Sequence, residues 1–137
     1  MHRPHPSPKA VAEAQVAVDN ATQHRVNGRL KQALLAYLQA VSLMPQVAAL
    51  HAVTGDAHLD LKQPKKAIAC YTKALHLEPK NPAFWNNLGN ILRTYAQYTE
   101  AANAYKMALR YAPEHPKIWK NLGLCHQYEN ASDEAIR

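Results

Sequence analysis

Apolar residues recur at spacings of three and four along most of the chain, which is the pattern of helices with one buried face. Prolines interrupt the pattern at regular places, where a proline either begins a helix or ends the preceding one. No run of alternating β-branched residues predicts a strand. The predicted helices, with boundaries uncertain by about two to four residues, are 10–26, 30–43, 47–61, 64–77, 82–95, 98–111 and 116–128. An eighth helix is expected to begin near Ser132 or Asp133.

The same residue types return every 34 residues. The repeated columns are Gly55, Gly89 and Gly123; Ala33, Ala67, Ala101 and Ala135; Tyr37, Tyr71 and Tyr105; and Pro45, Pro79 and Pro113. A fixed period of this length is typical of stacked helical hairpins, in which each repeat packs on its neighbours. Glycine and alanine allow two antiparallel helices to approach closely, while residues such as Leu88 and Leu92 supply the apolar area between them.

One repeat shows the full order of residues, which is Trp85, Leu88, Gly89, Ala101, Tyr105 and Pro113. In this order the chain resembles the tetratricopeptide repeat family. The resemblance implies an all-α, tetratricopeptide-type helical-hairpin solenoid, a right-handed superhelix of about 3.5 repeats. The expected segments are a disordered N-terminal lead at 1–9, a degenerate capping repeat at 14–47, repeats at 48–81 and 82–115, and a truncated repeat at 116–137.

The resemblance also implies a function, because tetratricopeptide arrays bind peptides or protein segments on the concave surface lined by their first helices. We therefore expect a protein–protein interaction scaffold. Its expected partner-binding residues are Asp56, Asp60, Asn86, Asn87, Asn90, Arg93, Thr94, Lys117, Lys120 and Asn121. A side-chain amide both donates and accepts hydrogen bonds, so a row of asparagines can hold a peptide backbone without selecting its side chains. The two aspartates would form an acidic patch beside a basic, amide-rich one.

Two subtypes of the family suggest different partners. The chaperone-tail carboxylate clamp is matched at Asn87 and Lys117 only. Its other positions hold Ala52, Asp56 and Asn121. The asparagine-lined repeats that precede the catalytic region of O-linked N-acetylglucosamine transferases are matched at Asn87 and Asn121, although the first two repeats hold other residues there. The alternative hypothesis is therefore that these repeats are the N-terminal, substrate-recruiting arm of a larger enzyme such as a glycosyltransferase.

The last residues fall in the first turns of the expected second helix of the fourth repeat. A half hairpin would leave Trp119, Leu122 and Leu124 without a covering helix, whereas helical solenoids normally finish with a polar capping helix. We therefore expect the chain to be a fragment of a longer protein. We also hypothesise self-association through the incomplete repeat.

We expect the residues that could take part in catalysis or metal binding to have structural roles instead. The chain has no Gly-rich phosphate loop, no nucleophile elbow and no Ser/His/Asp arrangement, so we expect no catalytic residues, no enzyme activity of its own and no cofactor. His24, His58 and His126 occupy equivalent repeat positions, which successive hairpins place about 10 Å apart. Because this separation is too large for a shared metal ion, we expect the rings to pack between helices. Cys70 and Cys125 are expected to be buried thiols.

Charge and hydropathy exclude two further classes of partner. The net charge is +6, from 16 Lys and Arg against 10 Asp and Glu, but the basic residues are spread along the chain, so we expect no nucleic acid. No apolar stretch reaches the roughly 18–20 residues of a membrane span, and the start lacks the apolar centre of a secretory signal. We expect no membrane partner and a cytoplasmic location.

Overall fold

A computed structural model shows helices joined by short turns. It describes the backbone of residues 5–136 and the side chains of residues 5–131. The helices are α1 (Pro8–Val26), α2 (Leu30–Leu43), α3 (Ala48–Asp60), α4 (Pro64–Leu77), α5 (Pro82–Thr94), α6 (Tyr98–Tyr111) and α7 (Pro116–Ile136). Residues 5–136 contain no strand, so the predicted all-α class is confirmed.

Two compact units divide the chain, one ending at Leu77 and the other beginning at Glu78. In the first unit α1 packs on α2, α2 on α3, and α3 on α4. In the second unit α6 packs on α5 and on α7, and α5 also contacts α7. Each unit buries alanines together with a tyrosine of a second helix, as the repeated columns predict.

The first helix begins earlier than predicted. Ser7 caps it, because its Oγ accepts a hydrogen bond of 3.0 Å from the backbone N–H of Ala10. Pro8 follows at the first helical turn, where its missing N–H leaves no hydrogen bond unmade. Pro8 and Lys9 therefore belong to α1 and not to the predicted N-terminal lead. Residues 1–4 of that lead lie outside the described residues.

The last helix is longer than predicted. α7 continues to Ile136, so the predicted end near residue 128 and the new helix from Ser132 or Asp133 were wrong. No proline or glycine stands between residues 124 and 136 to interrupt the helix.

The face of α7 around Gly123 is partly open. Trp119 is 53% exposed, and open space lies beside Gly123. Leu124 is half-buried. Leu122, in contrast, is buried in the helix that packs on α6, so its predicted lack of cover was wrong.

Three turns between paired helices use a left-handed residue at the equivalent repeat position. The residues are Gly28, Lys62 and Ala96, with φ of 77°, 62° and 64°. This conformation suits glycine, whereas the Cβ of any other residue contacts the following carbonyl and costs roughly 1–2 kcal/mol. The turn therefore carries strain at Lys62 and Ala96 but not at Gly28.

Ala96→Gly should increase the free energy of unfolding by about 0.5–1 kcal/mol, because the gain from removing the left-handed Cβ exceeds the added chain entropy of glycine. Urea denaturation followed by circular dichroism measures the change. Ala69→Gly, on the exposed side of α4, is the matched control and should decrease stability by about 0.5–1 kcal/mol. A decrease at both positions would contradict the assigned strain.

Candidate functional site

A tyrosine ring of the second helix lies directly over a glycine of the first helix in two hairpins. A Cβ added to Gly55 would lie 3.0 Å from Cδ2 of Tyr71, and one added to Gly89 would lie 2.7 Å from Cε1 of Tyr105. Both tyrosines are 0% exposed. The absence of a side chain on the glycine therefore lets each ring pack closely, which places its hydroxyl beside the residue that follows the glycine.

In the second unit, the hydroxyl of Tyr105 holds two polar side chains of α5. It donates to Oδ1 of Asn90 at 2.5 Å and accepts from Nε of Arg93 at 3.1 Å. Asn90 and Arg93 are three residues apart, so they share one face of the helix. Burial raises the pKa of the Tyr105 hydroxyl, although the bond from Arg93 opposes this shift. The hydroxyl therefore remains protonated at neutral pH and can donate to Asn90.

An asparagine of α7 joins this arrangement. Nδ2 of Asn121 donates to Oδ1 of Asn86 at 3.2 Å and to Oδ1 of Asn90 at 3.4 Å. Asn121 is only 7% exposed, so these bonds satisfy an amide nitrogen that would be costly to bury alone. They also fix the polar faces of α5 and α7 beside each other. We call Asn86, Asn90, Arg93, Tyr105 and Asn121 the amide cluster.

The first unit contains an acidic counterpart of the amide cluster. The Tyr71 hydroxyl donates to Oδ1 of Asp56 at 2.5 Å. Arg25 of α1 donates to the two carboxylate oxygens of Asp60, from Nε at 2.6 Å and from Nη2 at 3.3 Å. Burial raises the pKa of Asp56, and the hydrogen bond from Tyr71 and the charge of Arg25 oppose this shift. The expected acidic patch is therefore partly neutralised by an arginine.

The remaining residues predicted for the second unit are arranged differently from the amide cluster. Lys117 and Lys120 are exposed on α7. Thr94 is exposed, but its Oγ1 donates to the backbone carbonyl of Asn90 at 2.7 Å, so this hydroxyl is used within α5. Asn87 is half-buried and also makes a contact of its own.

Sequence reasoning missed Arg25 and both tyrosine hydroxyls as parts of the site. The signal for Arg25 was available, because Arg25 and Arg93 occupy the same position of the 34-residue repeat. The partner of Arg25 is Asp60, which lies 35 residues later and therefore one position further along the next repeat. Comparing residues only at the repeat distance hides such contacts between successive repeats.

A histidine takes the place of tryptophan in one repeat. Nε1 of Trp85 donates to the carbonyl of Pro79 at 2.8 Å, and Trp119 makes the same 2.8 Å bond to Pro113. At the equivalent position Nε2 of His51 lies 2.8 Å from the carbonyl of Pro45. Because a carbonyl can only accept, His51 carries a proton on Nε2.

The three equivalent histidines bind side chains close to them in sequence. Nδ1 of His24 accepts from Nε of Arg29 at 2.9 Å. Nδ1 of His58 lies 2.8 Å from Oε1 of Gln63. Nδ1 of His126 lies 3.6 Å from Oε1 of Glu129, and the His126 side chain is 51% exposed, so its predicted packing between helices was wrong. Among the side chains of residues 5–131, no three His, Cys, Asp or Glu residues form a group that could hold a metal ion.

The two cysteines differ in their burial. Cys125 is 0% exposed, as predicted. Cys70 is only half-buried, so its prediction as a buried thiol was wrong, because it lies toward the edge of the exposed side of α4. Burial raises the pKa of both thiols, which makes the thiolate form less accessible at neutral pH.

Family models and solved structures identify the repeat. A TPR repeat model matches residues 55–93, and a tetratricopeptide repeat model matches residues 96–136. Together these matches cover more than half of the chain. The chain belongs to the tetratricopeptide repeat family. A comparison with curated protein sequences found no match, and no helix within residues 5–136 is both long and apolar enough to cross a membrane.

Several solved tetratricopeptide domains are similar in fold. The Sgt2 TPR domain from Aspergillus fumigatus has a TM-score of 0.81 at 18% identity, covering 96% of this chain and 86% of that chain. The Arabidopsis OM64 TPR domain has a TM-score of 0.78 at 19% identity, covering 87% and 98%. The first TPR of Spaghetti (RPAP3), bound to the HSP90 peptide SRMEEVD, has a TM-score of 0.77 at 18% identity, covering 85% and 92%. At these identities the similarity establishes the tetratricopeptide-type solenoid fold.

Asp56→Asn should increase the free energy of unfolding at neutral pH. The pKa of Asp56 is raised by burial, so the ionised carboxylate is less favourable in the folded chain than in the unfolded chain. Asparagine keeps the oxygen that accepts from Tyr71, as Asn90 does for Tyr105. Because a raised pKa means tighter proton binding by the folded chain, the gain should shrink as the pH falls toward the ordinary value of 3.8.

Urea denaturation at neutral and acidic pH measures this dependence. Asp60→Asn is the matched control: it removes the carboxylate that accepts two bonds from Arg25 and should decrease stability at neutral pH. A gain from Asp56→Asn that grew toward acidic pH would contradict the assigned cause.

Proposed function

We propose that this chain is a protein–protein interaction scaffold that binds an extended peptide segment on the polar face shared by α5 and α7. The observation that carries the proposal is the pair of bonds from Asn121 to Asn86 and Asn90. These bonds hold two first helices side by side with their polar residues on one surface. The exposed Lys117 and Lys120 lie on the same helix as Asn121.

The spacing of amides along α5 suits an extended peptide. Asn86 and Asn90 are four residues apart, which corresponds to about 6 Å along a helix. An extended peptide repeats its backbone groups every second residue, about 6.6 Å apart. Amides one helical turn apart can therefore meet backbone groups two residues apart in the ligand. Asn87 adds a further amide to the same helix.

The solved relatives support the class of partner. The Spaghetti domain is described in complex with a peptide of seven residues. Its 18% identity to this chain leaves the binding residues to be inferred from this chain alone. We propose a protein or peptide partner, without nucleic acid or membrane, and include Asp56 and Asp60 as a second polar surface in the first unit.

Removal of surface contacts on α5 and α7 tests the assignment. A random heptapeptide library displayed on phage is selected against the immobilised full chain, and an enriched peptide is labelled for fluorescence anisotropy. The double substitution Asn87→Ala and Lys120→Ala should weaken its binding about tenfold, since each lost polar contact contributes about 0.5–1 kcal/mol.

Asn103→Ala, on the exposed side of α6, is the matched control and should leave the affinity unchanged. The α5–α7 face is the wrong surface if the double variant binds as tightly as the wild type, or if Asn103→Ala weakens binding as strongly. If no peptide is enriched at all, the proposed function itself fails.

The alternative function is the substrate-recruiting arm of a larger enzyme such as a glycosyltransferase. Asn87 and Asn121 share one repeat position, which supports it. Reading the transcript beyond the codon of Arg137 tests it, because a catalytic domain in the same frame is required.

For this chain itself we propose no catalytic activity and a cytoplasmic location. Sedimentation velocity tests self-association through the open face at Gly123.

A further inference from the structure

Two sets of hydrogen-bond donors on α5, beside the Tyr105 hydroxyl, are available to a ligand. Oδ1 of Asn90 accepts from both Tyr105 and Asn121, and Nδ2 of Asn90 has no hydrogen-bond partner among residues 5–131. Arg93 uses Nε to reach Tyr105, while its terminal Nη groups have no partner among the described side chains. Both groups are only half-buried, so both can meet a ligand.

The first unit shows what an arginine at this repeat position binds. Arg25 occupies the position of Arg93, and it is paired with the carboxylate of Asp60 at 2.6 Å. The residue related to Arg93 as Asp60 is to Arg25 is Tyr128. The ring of Tyr128 stacks on Tyr98, with the ring centroids 5.1 Å apart.

Among the side chains of residues 5–131, Arg93 therefore has no equivalent of the Asp60 carboxylate. None of the ion pairs formed by described side chains includes Arg93. The helix that carries it, α5, contains no aspartate or glutamate. The chain thus holds a fixed guanidinium at a position where its own first unit supplies an acid.

We propose that Arg93 and Nδ2 of Asn90 receive a carboxylate of the bound peptide, so that the partner of this surface is an acidic segment. A guanidinium presents two parallel N–H groups that match the two oxygens of a carboxylate. The bond from Tyr105 holds the guanidinium before the ligand arrives, which reduces the entropy lost on binding. This inference rests on the proposed function and specifies the chemistry of the partner.

The first unit would not bind a ligand carboxylate in the same way. Its tyrosine holds Asp56 where the second unit has Asn90. A carboxylate there repels a second carboxylate unless one of them is protonated. One substitution at the amide cluster can therefore remove the proposed selectivity without changing the geometry.

Asn90→Asp is that substitution. It keeps an oxygen for the Tyr105 hydroxyl, as Asp56 does for Tyr71, so the fold should be retained. The new carboxylate would pair with Arg93 and repel a carboxylate of the ligand. Arg93→Gln is a second variant that removes the cation instead.

The experiment is selection of a random heptapeptide phage library on the full chain and on each variant, followed by sequencing of the enriched peptides. Wild-type selections should be enriched in aspartate and glutamate. Changing the critical glutamate of a selected peptide to glutamine should weaken binding about five- to tenfold, as expected for a charge-assisted contact. Both variants should lose the acidic preference and bind the two peptides equally.

Asn103→Asp is the matched control, because it adds the same charge on the exposed side of α6 and should keep the acidic preference. Enrichment without acidic residues on the wild type, or an acidic preference that survives in both variants, would overturn the inference and leave the proposed peptide binding intact. Loss of the preference in Asn103→Asp would assign it to net charge and also overturn the inference. A complete lack of enriched peptides would instead contradict peptide binding.

Discussion

The contact between a glycine and a tyrosine ring fixes both the packing and the chemistry of these hairpins. The nearest ring atoms of Tyr71 and Tyr105 lie only 3.0 Å and 2.7 Å from the positions that a Cβ would take on Gly55 and Gly89. This close approach brings a buried hydroxyl to the edge of the hairpin, beside the next residue of the first helix. The polar face of each hairpin is therefore organised from its apolar core.

The first hairpin illustrates this dependence. Ala21 stands where the later hairpins have glycine, and the hydroxyl of Tyr37 lies 3.4 Å from Oγ1 of Thr22. The corresponding bonds of Tyr71 and Tyr105 measure 2.5 Å. Where the first helix carries Ala21 in place of glycine, the tyrosine hydroxyl thus makes a longer and weaker contact. The position after the small residue holds Thr22, Asp56 and Asn90 in the three hairpins, so one geometry presents a hydroxyl, an acid and an amide.

The sequence predicted the fold well because the repeated columns encode contacts within each hairpin. Six of the predicted helices end within two residues of their observed bounds, since prolines and left-handed turns mark those ends locally. The seventh was predicted to end too early, because the repeat period indicated a turn before Ser132 although no proline or glycine stands there to interrupt the helix. The site was predicted less completely. Bonds such as that between Arg25 and Asp60 join adjacent repeats one position out of register, and a residue-type pattern does not show which side-chain atoms they use.

The asparagines also differ in which of their amide atoms form hydrogen bonds within the chain. Asn121 is nearly buried and donates toward α5, so its amide holds two helices together. Asn90 accepts two bonds at its oxygen and keeps its nitrogen available, while Arg93 keeps its terminal nitrogens available. A row of asparagines that looks symmetrical in the sequence thus presents mainly donors on α5 in the structure. Because the side-chain oxygens of Asn86 and Asn90 already accept bonds within the cluster, an acceptor-rich, anionic ligand satisfies the remaining donors of α5 better than a neutral one.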